Sequence, residues 1–350
     1  METFDYVIVG AGSAGSVLAG RLSEDEKTTV CVLEAGPRDW HPFIHIPAGF
    51  MYTLVNPKVN WLYTSEASEW TGGRRIAAPR GKTLGGSSSI NGHIYNRGQR
   101  LDFDGWAQRG NRGWGYADVL PYFRRSERRI GEADETFRGR DGNLPITDLD
   151  WRGPLCVVDG SLMEKSPRII QNGRRMSAAR GYLHPAMGRA NLTVRTNAHA
   201  SEILLEGKRA VGVRYRKGGR NGTPTEVRAA KEVILCGGTV NSPQLLQVSG
   251  IGPAPLLQQH GITVRHALPG VGENLRDHYA PRFVARVKNA ESINEKSHGL
   301  KLVSEVLKYA FTRKGILALN PTLIYVFWKS DERVDNYDLQ LTFTPASYKE

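Results

Sequence analysis

Three glycines near the start of the chain constrain its fold more than any other feature. Gly10, Gly12 and Gly15 follow the apolar segment 6–9 and lead into residues 16–22, whose sequence is typical of a helix. The pattern predicts a strand, a tight turn and a helix. In such a unit the first glycine allows the turn, the second admits a pyrophosphate to the backbone, and the third lets helix and strand pack closely.

A spaced acidic residue strengthens this interpretation. A second apolar run, residues 29–33, ends at Glu34, about twenty residues after the glycines, where a carboxylate can accept hydrogen bonds from an adenosine ribose. The helix N-terminus offers free N–H groups to phosphates. Glycines alone also occur in ordinary structural turns, but strand, helix and acid together favour dinucleotide binding. The residues predicted to bind it are Gly10, Gly12, Ser13, Ala14, Gly15, Glu34 and Ala35.

Length and composition indicate a globular α/β protein. The 350 residues, of which 40% are hydrophobic, can bury one large core or two ordinary ones. The three cysteines Cys31, Cys156 and Cys236 share no C-x-x-C spacing, so we expect buried thiols in a reducing compartment, with no disulfide and no metal site. The first residues contain no export signal, and we expect a cytoplasmic protein.

The net charge of +12 is compatible with nucleic acid, a membrane surface or an anionic ligand. The arginines between Arg97 and Arg140 are dispersed among Asp, Glu and Gly, without the pattern of a nucleic-acid-binding motif. We therefore expect a solvated basic surface and no nucleic-acid partner. Peripheral contact with a membrane, giving a membrane-associated protein, stays open as an alternative.

A second glycine-rich segment, residues 79–98, concentrates hydrogen-bond donors. Arg80 and Lys82 precede Gly85 and Gly86, and three serines follow at 87–89. Backbone and side-chain donors that converge in this way are typical of a loop that surrounds an anionic cofactor. A simple flexible loop rarely carries so many.

This segment resembles the first signature of the glucose-methanol-choline (GMC) family of FAD-dependent oxidoreductases, which has the form G-K-x-L-G-G-S-S-x-I-N at residues 81–91 here. Residues 238–252, GTVNSPQLLQVSGIG, resemble the second signature, and residues 172–187 and 270–278 resemble further family segments. Within the family the chain resembles bacterial choline and alcohol dehydrogenases. The resemblance runs from Phe4 to about Glu350 and covers the N-terminal portion of a family-length chain.

The resemblance implies an α/β fold, with an FAD-binding Rossmann-like domain of GMC type and a partial α+β substrate domain. We place the FAD-binding domain at residues 1–285, with excursions around 40–75 and 150–190, and the partial substrate-binding domain at 286–350. Between Trp151 and Asn172 the chain is shorter than family members usually are, so we expect part of the wall near the flavin to be absent.

The resemblance also implies contacts to the cofactor FAD. Asn91 and Gly92 are expected beside the isoalloxazine, and the backbone of Ala200 beside the adenine. Some members attach FAD covalently through a histidine at the position held here by Ile90, and an aliphatic side chain cannot form that bond. We therefore expect noncovalent FAD. The residues implied in binding are Leu84, Gly85, Gly86, Ser87, Ser88, Asn91, Gly92 and Ala200.

By resemblance the activity is oxidation of a primary alcohol, choline-like, aliphatic or aromatic, to the aldehyde by hydride transfer to flavin N5. The family's histidine base lies in a C-terminal segment that these 350 residues do not contain, so we name no catalytic residue. The alternative is an FAD-binding fragment without catalysis, and an NAD-binding enzyme is a third option that leaves residues 81–92 unexplained. The electron acceptor, quinone or oxygen, stays open.

The last part of the chain is typical of a substrate domain. Residues 299–312 carry Leu300, Val303 and Leu307 at helical spacing, and 323–328 and 339–343 have the pattern of strands. We expect the apolar stripe of this helix to pack against a sheet. A membrane surface is the alternative, since lysines flank the stripe.

Overall fold

The computed structural model describes residues 2–148, 162–165, 167–286 and 292–347. The strands are β1 Glu2–Val9, β2 Val30–Leu33, β3 Tyr63–Thr64, β4 Ala77–Ala78, β5 Glu127–Arg129, β6 Leu144–Ile146, β7 Leu162–Lys165, β8 Ile170–Gln171, β9 Arg174–Arg175, β10 Leu192–Arg195, β11 Ala198–Glu206, β12 Arg209–Lys217, β13 Thr223–Leu235, β14 Ile251–Gly252, β15 His266–Ala267, β16 Ile324–Trp328 and β17 Leu339–Phe343. The helices are α1 Ser13–Leu22, α2 Pro42–His45, α3 Phe50–Thr53, α4 Arg100–Gln108, α5 Tyr116–Ser126, α6 His184–Ala186, α7 Gly238–Val248, α8 Ala254–Gln259, α9 Ile293–Lys296 and α10 Gly299–Thr312.

The chain divides into two compact units. The first comprises Met1–His41, Tyr52–Ile90 and Ser177–Pro281, and the second comprises Pro42–Met51, Asn91–Met176 and Arg282–Glu350. Residues 91–176 therefore group with the C-terminal residues, whereas the domain boundary expected at 285/286 places them in the FAD-binding domain. That functional division stays a prediction, because compactness alone does not define what a domain binds.

The first unit is built on a six-stranded sheet with the order β10-β2-β1-β13-β12-β11. The first four of these strands are parallel, and β12 and β11 continue the sheet as an antiparallel hairpin. The sequence of β2, Val-Cys-Val-Leu, is apolar throughout and buried at every position. Such runs are typical of parallel strands that are covered on both faces. The predicted α/β fold is thus confirmed.

Helices cover both faces of this sheet. On one face Ala19 of α1 packs with Ile8, Val30 and Val32, and on the other Leu245 of α7 packs with Val7 and further strand residues. Because Ile8 and Val7 are neighbours in β1, the two clusters follow from the alternation of side chains along a strand. The ends of β1 and β2 and the start of α1 are therefore held firmly in place.

The second unit contains the antiparallel sheet β17-β16-β7 and the helix α10. The predicted helix forms, but its apolar stripe is not packed, since Leu300 is 87% and Phe311 is 85% exposed. The helix is attached through another side: Tyr309 is 4% exposed, and its hydroxyl donates a hydrogen bond to the Gly173 carbonyl (2.9 Å). The expectation that this stripe packs against a sheet is wrong within the described chain.

Three further observations bear on the sequence-based expectations. In the described residues, no helix is both long and apolar enough to cross a bilayer. Cys31 is buried and Cys236 half-buried, both as free thiols. Cys156 and most of the shortened passage after Trp151 lie outside the described residues.

Candidate cofactor site

The first glycine-rich turn joins β1 to α1 as the sequence predicts. Gly10 has φ +98°, a left-handed conformation that side chains disfavour, and its N–H donates to the Leu33 carbonyl (2.8 Å). A Cβ at Gly10 would lie 2.5 Å from the Cys236 carbonyl oxygen, and one at Gly15 would lie 1.9 Å from the Gly10 carbonyl oxygen. Both positions therefore require glycine for the packing of the turn itself.

Gly12 differs from its two neighbours in having room around it. It is the N-cap of α1, with φ −70°, and the nearest atoms to a Cβ built there are 3.9 Å and 4.0 Å away. Gly12, Ser13 and Ala14 line a cavity of about 610 Å³ within the first unit. The first turn of a helix leaves N–H groups without intrahelical partners, so this end of the cavity is suited to an anion.

Glu34 stands at the end of β2, is 6% exposed, and lines the same cavity. Each carboxylate oxygen accepts one backbone hydrogen bond, Oε2 from the Ala11 N–H (2.9 Å) and Oε1 from the Gly36 N–H (2.8 Å). Burial raises the pKa of Glu34 to about 7, against the lowering effect of these two bonds and of the Lys82 charge. A carboxylate oxygen has room for a second hydrogen bond, which leaves Glu34 able to bind a hydroxyl.

The second glycine-rich segment packs directly on the first. The Gly85 N–H donates to the Ala11 carbonyl (2.7 Å), and a Cβ at Gly86 would lie 2.8 Å from the Gly12 Cα. Gly86 and Ser87 consequently line the cavity next to the turn. Both glycine-rich segments, far apart in the sequence, form walls of one cavity.

The structure brings most of the predicted residues together at this cavity and leaves others beside it. Gly15, Leu84, Gly85 and Ser88 support the walls; Leu84, for example, is 1% exposed. Asn91 and Gly92 belong to the second unit. Contacts of the predicted residues to FAD stay predictions. Those that line the cavity are Gly10, Gly12, Ser13, Ala14, Glu34, Ala35, Gly86, Ser87 and Ala200.

The cavity also has walls that the predicted set omits. Trp61 lies in a stretch without periodicity, stacks on Tyr63 (centroids 5.7 Å apart), lies 5.8 Å from the His199 ring and has the Lys82 ammonium 4.8 Å above it. Burial, and then the charge of Lys82 and two arginines, lower the pKa of His199. Of the additional wall, Arg80 and Gly81 lie in the glycine-rich segment 79–98 and residues 238–242 begin the second signature, whereas Trp61 and His199 lie in no motif. The additional lining residues include Trp61, Arg80, Gly81, His199, Ser201, Gly237, Gly238, Thr239, Asn241 and Ser242.

The arrangement fits FAD. The cavity combines glycine positions where a Cβ would meet backbone, a helix N-terminus, a buried acid and an aromatic wall. A diphosphate, a ribose and a heteroaromatic base require these features for binding. The fold and this cavity define a dinucleotide-binding domain. A family model described as GMC oxidoreductase matches residues 4–153 and 159–280, and the chain belongs to that family. GMC oxidoreductases are flavoproteins, which confirms the family and the FAD cofactor predicted from the sequence.

Individual proteins and solved structures of known identity are also similar to this chain. The chain is 42% identical to the oxygen-dependent choline dehydrogenase of Staphylococcus aureus (strain MSSA476), over 99% of this chain and 64% of that protein. Formate oxidase of Aspergillus oryzae RIB40, studied for its FAD modification, superposes with a TM-score of 0.84 at 29% identity, over 93% of this chain and 61% of the other. Pyridoxine 4-oxidase from Mesorbium loti gives a TM-score of 0.70 at 34% identity, over 76% and 55% of the two chains. The chain thus spans under two thirds of the length of these relatives.

Proposed function

We propose that this chain is the FAD-binding part of an oxidoreductase that oxidises a primary alcohol, of the choline class, to the aldehyde. The observation that carries the proposal is the cavity between the two glycine-rich segments, in a chain 42% identical to a choline dehydrogenase. When bound, FAD supplies the two-electron acceptor for the hydride that leaves the alcohol carbon. The hydroxyl proton must go to a base.

The residues of the chain have separate roles in this proposal. Gly12 and the N-terminus of α1 bind the pyrophosphate, and Glu34 accepts hydrogen bonds from the adenosine ribose. Ala200 meets the adenine by its backbone. Asn91 and Gly92 lie beside the isoalloxazine, as the resemblance implies. These assignments are consistent with the positions of Gly12, Glu34 and Ala200 on the cavity wall.

Alcohol oxidation and mere cofactor binding can be separated by anaerobic mixing of the FAD-loaded chain with choline. We expect slow bleaching of the flavin, because no residue of this chain is assigned as the base. General-base catalysis typically contributes about 10² to 10⁴ in rate. Within the described part of the chain, His199 is the one histidine on the cavity wall, and burial lowers its pKa. The experiment follows flavin absorbance after mixing.

Two controls make this measurement decisive. Dithionite should bleach the flavin fully, and tert-butanol, which has no hydrogen on the carbon that bears the hydroxyl, should leave it oxidised. Bleaching by choline or another primary alcohol alone supports alcohol oxidation. If no primary alcohol bleaches a chain that dithionite does bleach, the alternative of an FAD-binding fragment without catalysis is correct.

The side chain of Ile90 is the basis for a second prediction, that the cofactor is bound noncovalently. The side chain is aliphatic and 2% exposed, and it forms no covalent bond to a flavin. We therefore expect acid precipitation of the loaded chain to release all of its FAD into the supernatant. A yellow pellet after washing would contradict this expectation and indicate attachment at another residue.

A further inference from the structure

Arg175 is a buried cation that makes an unusually complete set of backbone and amide contacts. It is the second residue of β9 and is 1% exposed. Its Nε donates to the Ile44 carbonyl, its Nη1 to Asn91 Oδ1 and its Nη2 to the Asn91 carbonyl, each at 2.8 Å. All three residues belong to the second unit. Burial lowers the pKa of Arg175 to about 9, so that it is still charged at neutral pH.

These contacts determine which way the Asn91 amide faces. Oδ1 accepts from Arg175 Nη1 and also from the His93 backbone N–H (3.1 Å). A guanidinium and a backbone N–H can only donate, so the atom that faces them must be the oxygen and the NH₂ group must face away. Asn91 is exposed, and within the described chain its Nδ2 makes no hydrogen bond. The chain therefore presents an outward donor at residue 91.

The backbone around Asn91 supports the same orientation. His93 has φ +63°, a left-handed conformation rare for non-glycine residues, and its N–H returns to Asn91 Oδ1. The His93 ring is 1% exposed. Two independent donors, one of them a buried charge, thus bind one amide oxygen and restrict the orientation of the Asn91 side chain.

We propose that Arg175 is a positioning residue, which locks the Asn91 amide so that its NH₂ group donates to an acceptor atom of the isoalloxazine. The proposal rests on the proposed function, which places Asn91 beside that ring. A planar guanidinium reaches both Asn91 oxygens and the Ile44 carbonyl together, whereas an ammonium is a point donor that holds fewer of them. The role therefore requires arginine, and a positive charge alone is insufficient.

The test compares Arg175→Lys, Asn91→Ala and the double variant, with Arg174→Lys as the matched control. Arg174 is the adjacent residue of β9 but is exposed, and within the described chain the hydrogen bonds of Asn91 go to Arg175 and His93 instead. For each chain the FAD dissociation constant, the flavin absorption spectrum and the thermal unfolding temperature are measured. We expect Arg175→Lys and Asn91→Ala each to weaken FAD about five- to tenfold, the effect of one lost hydrogen bond, and to shift the flavin bands similarly.

The double variant distinguishes positioning from a general structural role. If Arg175 acts through Asn91, adding Arg175→Lys to Asn91→Ala changes neither FAD affinity nor spectrum further, although it lowers the unfolding temperature. Additive losses of affinity, or an Arg175→Lys chain that binds FAD like wild type, would overturn the proposal.

A measurement without FAD keeps the inference separate from the proposed function. In a chain labelled with ¹⁵N-asparagine, the side-chain NH₂ signals of Asn91, assigned from their loss in Asn91→Ala, should show a rigid amide that becomes mobile in Arg175→Lys. An equally mobile amide in wild type overturns the positioning role. A wild-type chain with a rigid amide that takes up no FAD overturns the proposed function and the ligand assigned to Asn91, while the lock itself stands.

Discussion

We expect the substitution Gly12→Ala to weaken FAD binding strongly while the chain stays folded. A Cβ at Gly12 meets no protein atom closer than 3.9 Å, so the fold should lose no more than about 1 kcal/mol, the cost of alanine at an N-cap. Gly12 lines the cavity, however, and there the added methyl group occupies space that the pyrophosphate needs. Overpacking of this kind costs about 1–3 kcal/mol, or roughly 5- to 150-fold in the FAD dissociation constant.

Gly15→Ala is the contrasting variant. Its Cβ would lie 1.9 Å from the Gly10 carbonyl oxygen, which is backbone and cannot move independently of the strand. The loss should therefore appear in the free energy of unfolding of the FAD-free chain, at about 1–3 kcal/mol or more. Chemical unfolding and FAD titration of both variants check the pair. If Gly12→Ala unfolded like Gly15→Ala, the separation of packing and binding roles would be wrong.

The FAD affinity should rise with pH between about pH 5 and pH 7, because of Glu34. Its pKa in the free chain is about 7, so the carboxyl is protonated in slightly acidic solution. Ribose hydroxyls donate to the charged form and lower this pKa, and binding then releases a proton. Between the pKa of the complex and that of the free chain, affinity increases up to tenfold per pH unit. Above about pH 7 it should be constant.

The stability of the FAD-free chain should change in the opposite direction. The folded-state pKa of Glu34 is raised above its unfolded value of about 4.5, so this contribution is complete below pH 4.5 and is lost as the pH rises through about 7. The shift corresponds to about 3 kcal/mol.

Glu34→Gln should remove both pH effects, since an amide does not titrate there. It should also weaken FAD, because a neutral amide with one oxygen accepts fewer and weaker hydrogen bonds from the ribose hydroxyls. It should destabilise the fold as well, because its NH₂ group cannot accept from a backbone N–H. Glu26→Gln, at an exposed turn residue, is the control and should keep the wild-type profile. FAD titrations and urea unfolding across pH 5–8 measure these slopes. An unchanged affinity profile in Glu34→Gln would show that the acid does not face the ribose.

Local patterns predicted the centre of the fold because each signal there is contained within a few residues. The buried run before Gly10, the helix that starts at Ser13 and the acid at Glu34 each follow from strand, turn and cap chemistry. The donors and glycines of residues 79–98 predicted a second cofactor loop, the resemblance identified the cofactor as FAD, and the structure places Gly86 beside Gly12. The parallel order of the central strands is consistent with the strand, turn and helix that the glycines predicted.

The rest depended on tertiary contacts that no local pattern encodes. Trp61 reaches the cavity because β11 brings His199 beside it, and both come from segments with no recognisable motif. The raised pKa of Glu34 depends on its burial, which only the folded chain provides. The apolar stripe of α10 has the spacing of a packed helix, yet Leu300 is exposed, because periodicity shows that a face is apolar and leaves open what covers it.

The position of β1 in its sheet has a consequence for synthesis of the protein. Val7 is paired with Val233, so the innermost strand obtains one of its two neighbours only after more than two hundred further residues have been translated. At about 5–20 residues per second this delay is roughly 10–45 s. During that time the apolar strand β1 has an open edge, and such edges favour association with other chains. We therefore expect this sheet to fold best when the open edge of β1 is kept covered until β13 has been translated.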